Sequence, residues 1–196
     1  MFKRAFDIAA SAAGLLLLSP LFLGVAIAIK CDSRGPVLFR QERMGRRFRP
    51  FKICKFRTMV VNAPKLGAEI TAGQDPRITR IGWHLRKWKV DELPQLFNVL
   101  RGEMSLVGPR PEVPRYVAMF REDYACVLSV RPGITDPASL KYRHESDLLA
   151  ASENPEQTYV QVILPDKIAM AKEYVAHSSL RHDIGLLWKT FRHVGR

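Results

Sequence analysis

Cysteine is scarce in this chain: Cys31, Cys54 and Cys126 are scattered over 196 residues, and no two share a C-x-x-C spacing. That excludes a disulfide framework and a cysteine zinc site, and it reads as reduced thiols in a cytosolic environment. Histidine is as thin, since positions 84, 144, 177, 182 and 193 show no ligand spacing, and no histidine metal centre is expected. Acidic side chains are in deficit, 19 Asp and Glu against 31 Lys and Arg for a net charge of +12. Such an excess implies an anionic partner: nucleic acid, membrane phospholipid or a phosphorylated substrate. Nucleic acid is the weakest of the three, because none of the recognised binding motifs is present. Internal repeats are absent as well. With 47% hydrophobic and 26% charged residues, the composition fits one globular domain with a sizeable core.

Charge is missing altogether from residues 8–29, "IAASAAGLLLLSPLFLGVAIAI". As a straight helix this run is about 33 Å long, enough for a hydrocarbon layer of about 30 Å. A cleaved signal peptide does not fit, because the run exceeds an ordinary h-region and Cys31, Asp32, Ser33 and Arg34 offer no small-x-small site. Two readings remain: a single-pass anchor, or a helix that enters one leaflet, bends and returns. Ser19-Pro20, in the middle of the run, favours a break. Proline removes an amide donor, and a freed carbonyl needs a local partner such as the serine hydroxyl. Lys3 and Arg4 precede the run and Lys30 and Arg34 follow it, which favours the cytoplasm at both ends. Proline kinks also occur in spanning helices, so the residues alone leave both readings open. Asp7, costly in lipid, is expected to pair with Arg4 or to lie at headgroup level.

Residues 35–59, "GPVLFRQERMGRRFRPFKICKFRTM", hold an apolar run at Val37 to Phe39 and a turn near Met44-Gly45-Arg46. Phe51, Ile53 and Phe56 then alternate with Lys52, Lys55 and Arg57. This predicts a β-hairpin with a basic face, either simply solvated or laid against phosphates. A loop punctuated by Pro64, Gly67, Gly73 and Pro76 follows. Ile78, Ile81, Leu85 and Trp88 then take helical spacing, with Asp75 or Thr79 as the cap.

In "KWKVDELPQLFNVL", residues 87–100, Leu93, Leu96, Phe97 and Leu100 recur at i, i+3, i+4 and i+7, the pattern of a helix buried on one side. Pro94 is tolerated only near a helix start, so that helix begins within a turn before it. Asp91 and Glu92 therefore stand at a helix N-terminus, where free amides and the dipole favour negative charge. Asp91 is either an N-cap residue or a reactive group. Arg110, Arg115 and Arg131 lie beside prolines, which suits a fixed anion clamp. Near the end, Ile184, Leu187, Trp188 and Phe191 share one face among Arg181, Lys189, Arg192 and His193. Such a helix suits a membrane interface, or packing on the core.

Five stretches, "KRAFDIAASAAGLLLLSPLFL", "GPVLFRQERMG", "FKICKFRTM", "DPRITRIGWHLRKWKVDELPQLFNVLRGEMSLVGPRP" and "VRPGIT", resemble the bacterial sugar transferases in family order over most of the first 135 residues. These are the monotopic phosphoglycosyl transferases that start lipid-linked glycan assembly. The resemblance implies an α+β fold, mostly helical, with an N-terminal re-entrant helix-break-helix at Ser19-Pro20, a small β-hairpin and amphipathic interfacial helices. Residues 1–30 would be the re-entrant membrane helix and 31–196 a cytoplasmic catalytic domain, on the cytoplasmic leaflet of a bacterial inner membrane. It further implies that Asp91 and Glu92 are the catalytic dyad and hold Mg²⁺, with a UDP-sugar and a polyprenyl phosphate such as undecaprenyl phosphate as substrates. Asp91 would attack the sugar-linked phosphorus and expel UMP, and Glu92 would hold the Mg²⁺. Arg86, Pro109, Arg110, Pro111 and Arg131 would contact substrate phosphates and nucleotide, with Lys55 and Arg57 as further contacts. Lys3 and Arg4 would meet the polyprenyl phosphate or lipid headgroups.

Arg86, Lys87 and Lys89 beside the dyad are expected to keep both carboxylates ionised near neutral pH. A homodimer is compatible with all of this, and nucleic acid is not a partner. After "RPGIT", many family members continue Gly-Trp-Ala-Gln where this chain has "DPASLKYRHESD", which leaves the sugar open. The alternative is a non-catalytic, basic, membrane-anchored adaptor, which would explain the apolar run and the charge but not the dyad.

Overall fold

The computed structural model describes residues 2–67, 70–73 and 75–193. Helix α1 (Phe2–Leu17) meets α2 (Ser19–Asp32) at a bend of 60°. Pro20 has no amide hydrogen to give to the carbonyl four residues back, which is that of Leu16. The hydroxyl of Ser19 donates to that oxygen at 2.8 Å. Among the described residues no single helix is long and apolar enough to cross a membrane, although the bent pair together has the length and composition. Leu16, Leu17, Leu23 and Ile27 are exposed on it, while Val25 and Ile29 are buried against Phe56 and Leu85.

Strands β1 (Leu38–Met44) and β2 (Pro50–Phe56) form the expected antiparallel hairpin, Gln41 opposite Ile53. Phe51 and Ile53 lie on one face of β2 and Phe56 on the other, and all three are buried, in two different clusters. A short helix α3 (Ala63–Leu66) precedes α4 (Arg80–Lys87), which Thr79 caps by accepting from Gly82 N. Asp75 is instead occupied by Arg77. A 3₁₀ turn (Val90–Glu92) then runs into α5 (Gln95–Arg101) through Leu93 and Pro94, both with right-handed helical dihedrals. The dyad thus lies on the 3₁₀ turn before α5, and Asp91 makes no capping bond. The expected one-sided burial of α5 also needs correction. Gln95, Leu96, Asn98 and Val99 are buried while Phe97 is exposed. Asn98 faces the open edge of β2, accepting from Cys54 N and donating to the Lys52 carbonyl, both at 2.9 Å.

Two very short strands, β3 (Ser105–Val107) and β4 (Gly133–Thr135), pair in parallel. Between them lie α6 (Pro114–Met119) and α7 (Arg121–Val127). After β4 come α8 (Pro137–Lys141), α9 (Glu145–Ala150) and α10 (Pro155–Thr158), then a π turn (Tyr159–Ile163) and the long helices α11 (Leu164–His177) and α12 (Leu180–His193). The fold is mostly helical, as expected, and among the described residues it has two two-stranded sheets. The largest buried cluster joins α6, α7, α9 and α11 around Tyr116, Tyr124, Tyr159 and Leu164, and a second joins β2, α5 and β3 to Tyr174 and Leu186. On α12, Ile184, Trp188 and Phe191 face outward, and Asp183 and Leu186 are the buried side.

The polar start of α1 is turned into the domain. The Asp7 carboxylate accepts from Ser105 Oγ (2.8 Å) and Leu106 N (3.2 Å), so it pairs neither with Arg4 nor with a headgroup. Arg4 donates to the Val99 and Leu100 carbonyls at the end of α5. Lys3 donates to Val107 O at 2.9 Å and to Tyr174, and forms an ion pair with Asp183. Lys3 and Arg4, expected to meet phosphate or headgroups, join α1 to α5, β3, α11 and α12 in a clasp. Asp183→Ala leaves Lys3 and the buried Tyr174 hydroxyl without their carboxylate, and thermal unfolding is expected to show a loss of about 2–3 kcal/mol. A change under about 0.5 kcal/mol would mean that the clasp contributes nothing.

Candidate active site

Four elements converge on the dyad. Lys55 comes from the end of β2, Arg86 from the last turn of α4, Asp91 and Glu92 from the 3₁₀ turn, and Arg110 from the arm that leaves β3. Lys89, in the left-handed region at φ 54°, reverses the chain between α4 and the 3₁₀ turn. Arg86 Nε donates to Thr58 Oγ1 at 2.9 Å, and Thr79 N to the Thr58 carbonyl at 3.0 Å. Thr58 thus ties α4 to the end of β2.

The two carboxylates have opposite surroundings. Glu92 Oε1 accepts from Lys55 at 2.7 Å and is paired with Arg110, whose second nitrogen reaches Oε2 at 3.2 Å. Burial raises its pKa, but Arg110 and Lys55 outweigh that and hold Glu92 well below the usual carboxylate range. Asp91 is 7% exposed, and its Oδ1 has no hydrogen-bond partner. Burial pushes its pKa up, with Lys55 and Arg86 only partly offsetting it and Glu92 adding to it. The expectation that nearby cations would keep both carboxylates ionised alike therefore fits Glu92 and overlooks the burial of Asp91. The result is one carboxylate that is neutralised and held, and one that is exposed to the field of cations with a bare oxygen.

The arm "GPRP" is pinned by its backbone. Gly108 N donates to Thr135 O, and Pro109 O accepts from Gly133 N, at 3.0 and 2.9 Å. Pro111 O accepts from Arg43, which also pairs with Glu112. Arg110 N donates to the Asp136 carboxylate at 3.1 Å. Pro109 and Pro111 are buried in this arm, and only the guanidinium of Arg110 reaches the dyad. Sequence reasoning missed Asp136. An Asp-Pro pair ahead of a helix is an N-cap signal, but nothing local announces its contact with a residue 26 positions away.

Two expected contacts fall elsewhere. Arg57, 5% exposed, is occupied by the carbonyls of Ser33, Arg34 and Pro36 and the Ser33 hydroxyl, so it clamps the connection from α2 to β1. Arg131 Nε donates to Gly102 O at 2.8 Å, beyond the opposite end of α5 from the dyad, close enough to Arg46 to depress its pKa. Among the described residues no three His, Cys, Asp or Glu side chains form a metal cage. A carboxylate offers about four lone-pair directions. Three N–H groups occupy those of Glu92, which leaves one on Oε2, and Oδ1 of its neighbour Asp91 is bare. That donor set fits a Mg²⁺ ion taking its other ligands from water and phosphate, the usual habit of that ion.

Bare carboxylate oxygen, neutralised neighbour and three anchored cations together suit a site for phosphoryl chemistry. Comparison with known proteins agrees: the chain belongs to the bacterial sugar transferase family, whose model matches residues 1–196. It is 43% identical over 199 residues to an undecaprenyl-phosphate glucose phosphotransferase of Komagataeibacter xylinus, covering 97% of this chain and 35% of that protein. It is 39% identical over 195 residues to the UDP-N-acetylgalactosamine-undecaprenyl-phosphate N-acetylgalactosaminephosphotransferase of Aeromonas hydrophila, with 98% and 43% covered. The exopolysaccharide production protein PSS of Rhizobium leguminosarum bv. phaseoli is 40% identical over 195 residues, with 96% and 92% covered. The chain thus spans less than half the length of the first two relatives and nearly all of the third.

Proposed function

We propose that this chain is a phosphoglycosyl transferase that moves a sugar phosphate from a UDP-sugar to undecaprenyl phosphate, releasing UMP. The observation that carries the reading is the buried Asp91 with its bare oxygen, set beside a neutralised Glu92. Relatives named for transfer of glucose phosphate or N-acetylgalactosamine phosphate to undecaprenyl phosphate support it.

A carboxylate oxygen of Asp91 attacks the sugar-linked phosphorus. An O–P bond forms while the bond from that phosphorus to the bridging oxygen breaks, and its electron pair leaves with UMP. An oxygen of undecaprenyl phosphate then attacks the same phosphorus, and the carboxylate departs unchanged. Burial strips water from Asp91 and so favours its reaction, while Lys55, Arg86 and Arg110 offset charge on the phosphoryl oxygens. Asp91 and Glu92 would hold Mg²⁺, whose chemistry there would be further neutralisation of charge. Arg110 and Lys55, by holding Glu92, keep it from competing as a nucleophile.

A membrane-surface location completes the reading. The bent pair α1–α2 enters and returns within one leaflet, residues 31–196 lie on the cytoplasmic side of a bacterial inner membrane, and the Trp188 face of α12 lies at the interface. The exposed leucines of the pair and the outward Ile184, Trp188 and Phe191 support this.

The test offers a panel of UDP-sugars with Mg²⁺ and undecaprenyl phosphate and measures UMP. One donor is expected to give Mg²⁺-dependent release, and without the lipid acceptor a single sugar-phosphate adduct on the peptide containing Asp91. If every donor fails while the protein binds anionic vesicles, the adaptor reading replaces this one.

A further inference from the structure

Asp136 opens the segment "DPASLKYR", which the function described above leaves without a role. Its carboxylate is 3% exposed and has two uses. Oδ1 accepts from Ser139 N at 2.7 Å, capping α8. Oδ2 accepts from Arg110 N at 3.1 Å. The second bond extends the pairing of β3 and β4 beyond its last backbone rung. Val107 pairs with Thr135, Gly108 N donates to Thr135 O, and the next free amide of the arm, past Pro109, finds a side chain. Without that carboxylate the Arg110 amide would be left unsatisfied beside a buried strand end, and the arm would lose its final fixed point before its guanidinium meets Glu92.

We infer that Asp136 is a positioning residue for the candidate active site: it holds the backbone of Arg110 so that the guanidinium engages Glu92. The kinetic consequence rests on the proposed function; the structural one does not.

Two substitutions separate capping from positioning. A serine at 136 can cap α8 through Ser139 N, since serine is a good N-cap residue, but its single short hydroxyl cannot also serve Arg110. An asparagine keeps one acceptor oxygen and can serve one of the two amides. Amide hydrogen exchange on the full-length protein in detergent reads the Arg110 position directly. The flanking prolines, 109 and 111, carry no amide hydrogen, so few sites in this peptide compete with the Arg110 signal. Asp136→Ser is expected to keep α8 capped and to lose only the stability of the Arg110 bond, a few degrees in melting temperature, while the Arg110 amide exchanges faster, on the order of tenfold or more. With an active UDP-sugar, its kcat should fall by about tenfold and its KM for the donor should rise. Asp136→Asn is expected to lie between wild type and Asp136→Ser in both measures.

Unchanged Arg110 exchange in Asp136→Ser would overturn the inference, and so would a serine that restores kcat and KM along with the melting temperature. Were the wild type to turn over no UDP-sugar at all, the proposed function would fall, and exchange at Arg110 would still decide the role of Asp136.

Discussion

Asp91→Asn is expected to abolish UMP release, by at least about a thousandfold, while leaving the protein as stable as wild type or more so. An amide oxygen is a poor nucleophile toward phosphorus, so chemistry stops even though the shape is kept. Stability moves the other way because the native fold holds a buried carboxylate with an unpartnered oxygen. Its pKa is raised by burial, so the folded state binds the Asp91 proton more tightly than the unfolded chain does. The charged form is therefore destabilising, and the penalty is relieved as pH falls through the raised pKa. Glu92 has the opposite sign. Its folded pKa is depressed, so its contribution is present above the ordinary carboxylate value of about 4.3 and is lost as pH falls through the folded one. Melting temperature against pH should show less acid-side stabilisation in Asp91→Asn than in wild type. Retention of UMP release by the variant would remove Asp91 from the chemistry.

Gly133→Ala is expected to be the most damaging single methyl in the chain's short parallel sheet. A Cβ at Gly133 would lie 2.1 Å from Gly108 N and 2.4 Å from Gly108 O, and one at Gly108 would lie 2.5 Å from the Arg131 carbonyl. Both sides of the contact are backbone, so no side chain can rotate away. The strands must separate, and with them the bonds that set the "GPRP" arm. A loss of more than about 3 kcal/mol is expected, or about 10 °C in melting temperature. Gly24→Ala and Gly185→Ala are the controls, because an added Cβ there meets nothing within 4 Å. Equal melting temperatures for all three variants would refute the close approach of β3 and β4.

What the sequence revealed was local chemistry. The break at Ser19-Pro20 followed from a missing donor and a hydroxyl one residue away, and the structure supplies that hydroxyl bond. Thr79, one of two candidate caps, and the hairpin of β1 and β2 were equally legible, since each depends on neighbours in the chain. Adjacent carboxylates stood out, but their difference did not: it comes from Lys55, Arg86 and Arg110, each on another element. Strands of three residues carry no readable period, so β3 and β4 stayed hidden. Arg57 was misjudged for a related reason. A basic residue on an alternating strand reads as solvent-facing, and only the fold shows the carbonyls of residues 33, 34 and 36 waiting behind it.

The clasp at the start of α1 also sets an order of events during synthesis. Lys3 and Asp183 are 180 residues apart, and Lys3 and Tyr174 are 171 apart. A ribosome working at roughly 5–20 residues per second releases the second half of this clasp many seconds after the first. Until then the first helix keeps its ammonium hydrated and its grip on the strand incomplete. Native closure is therefore a late step, and folding of this chain should be slow for its helical content.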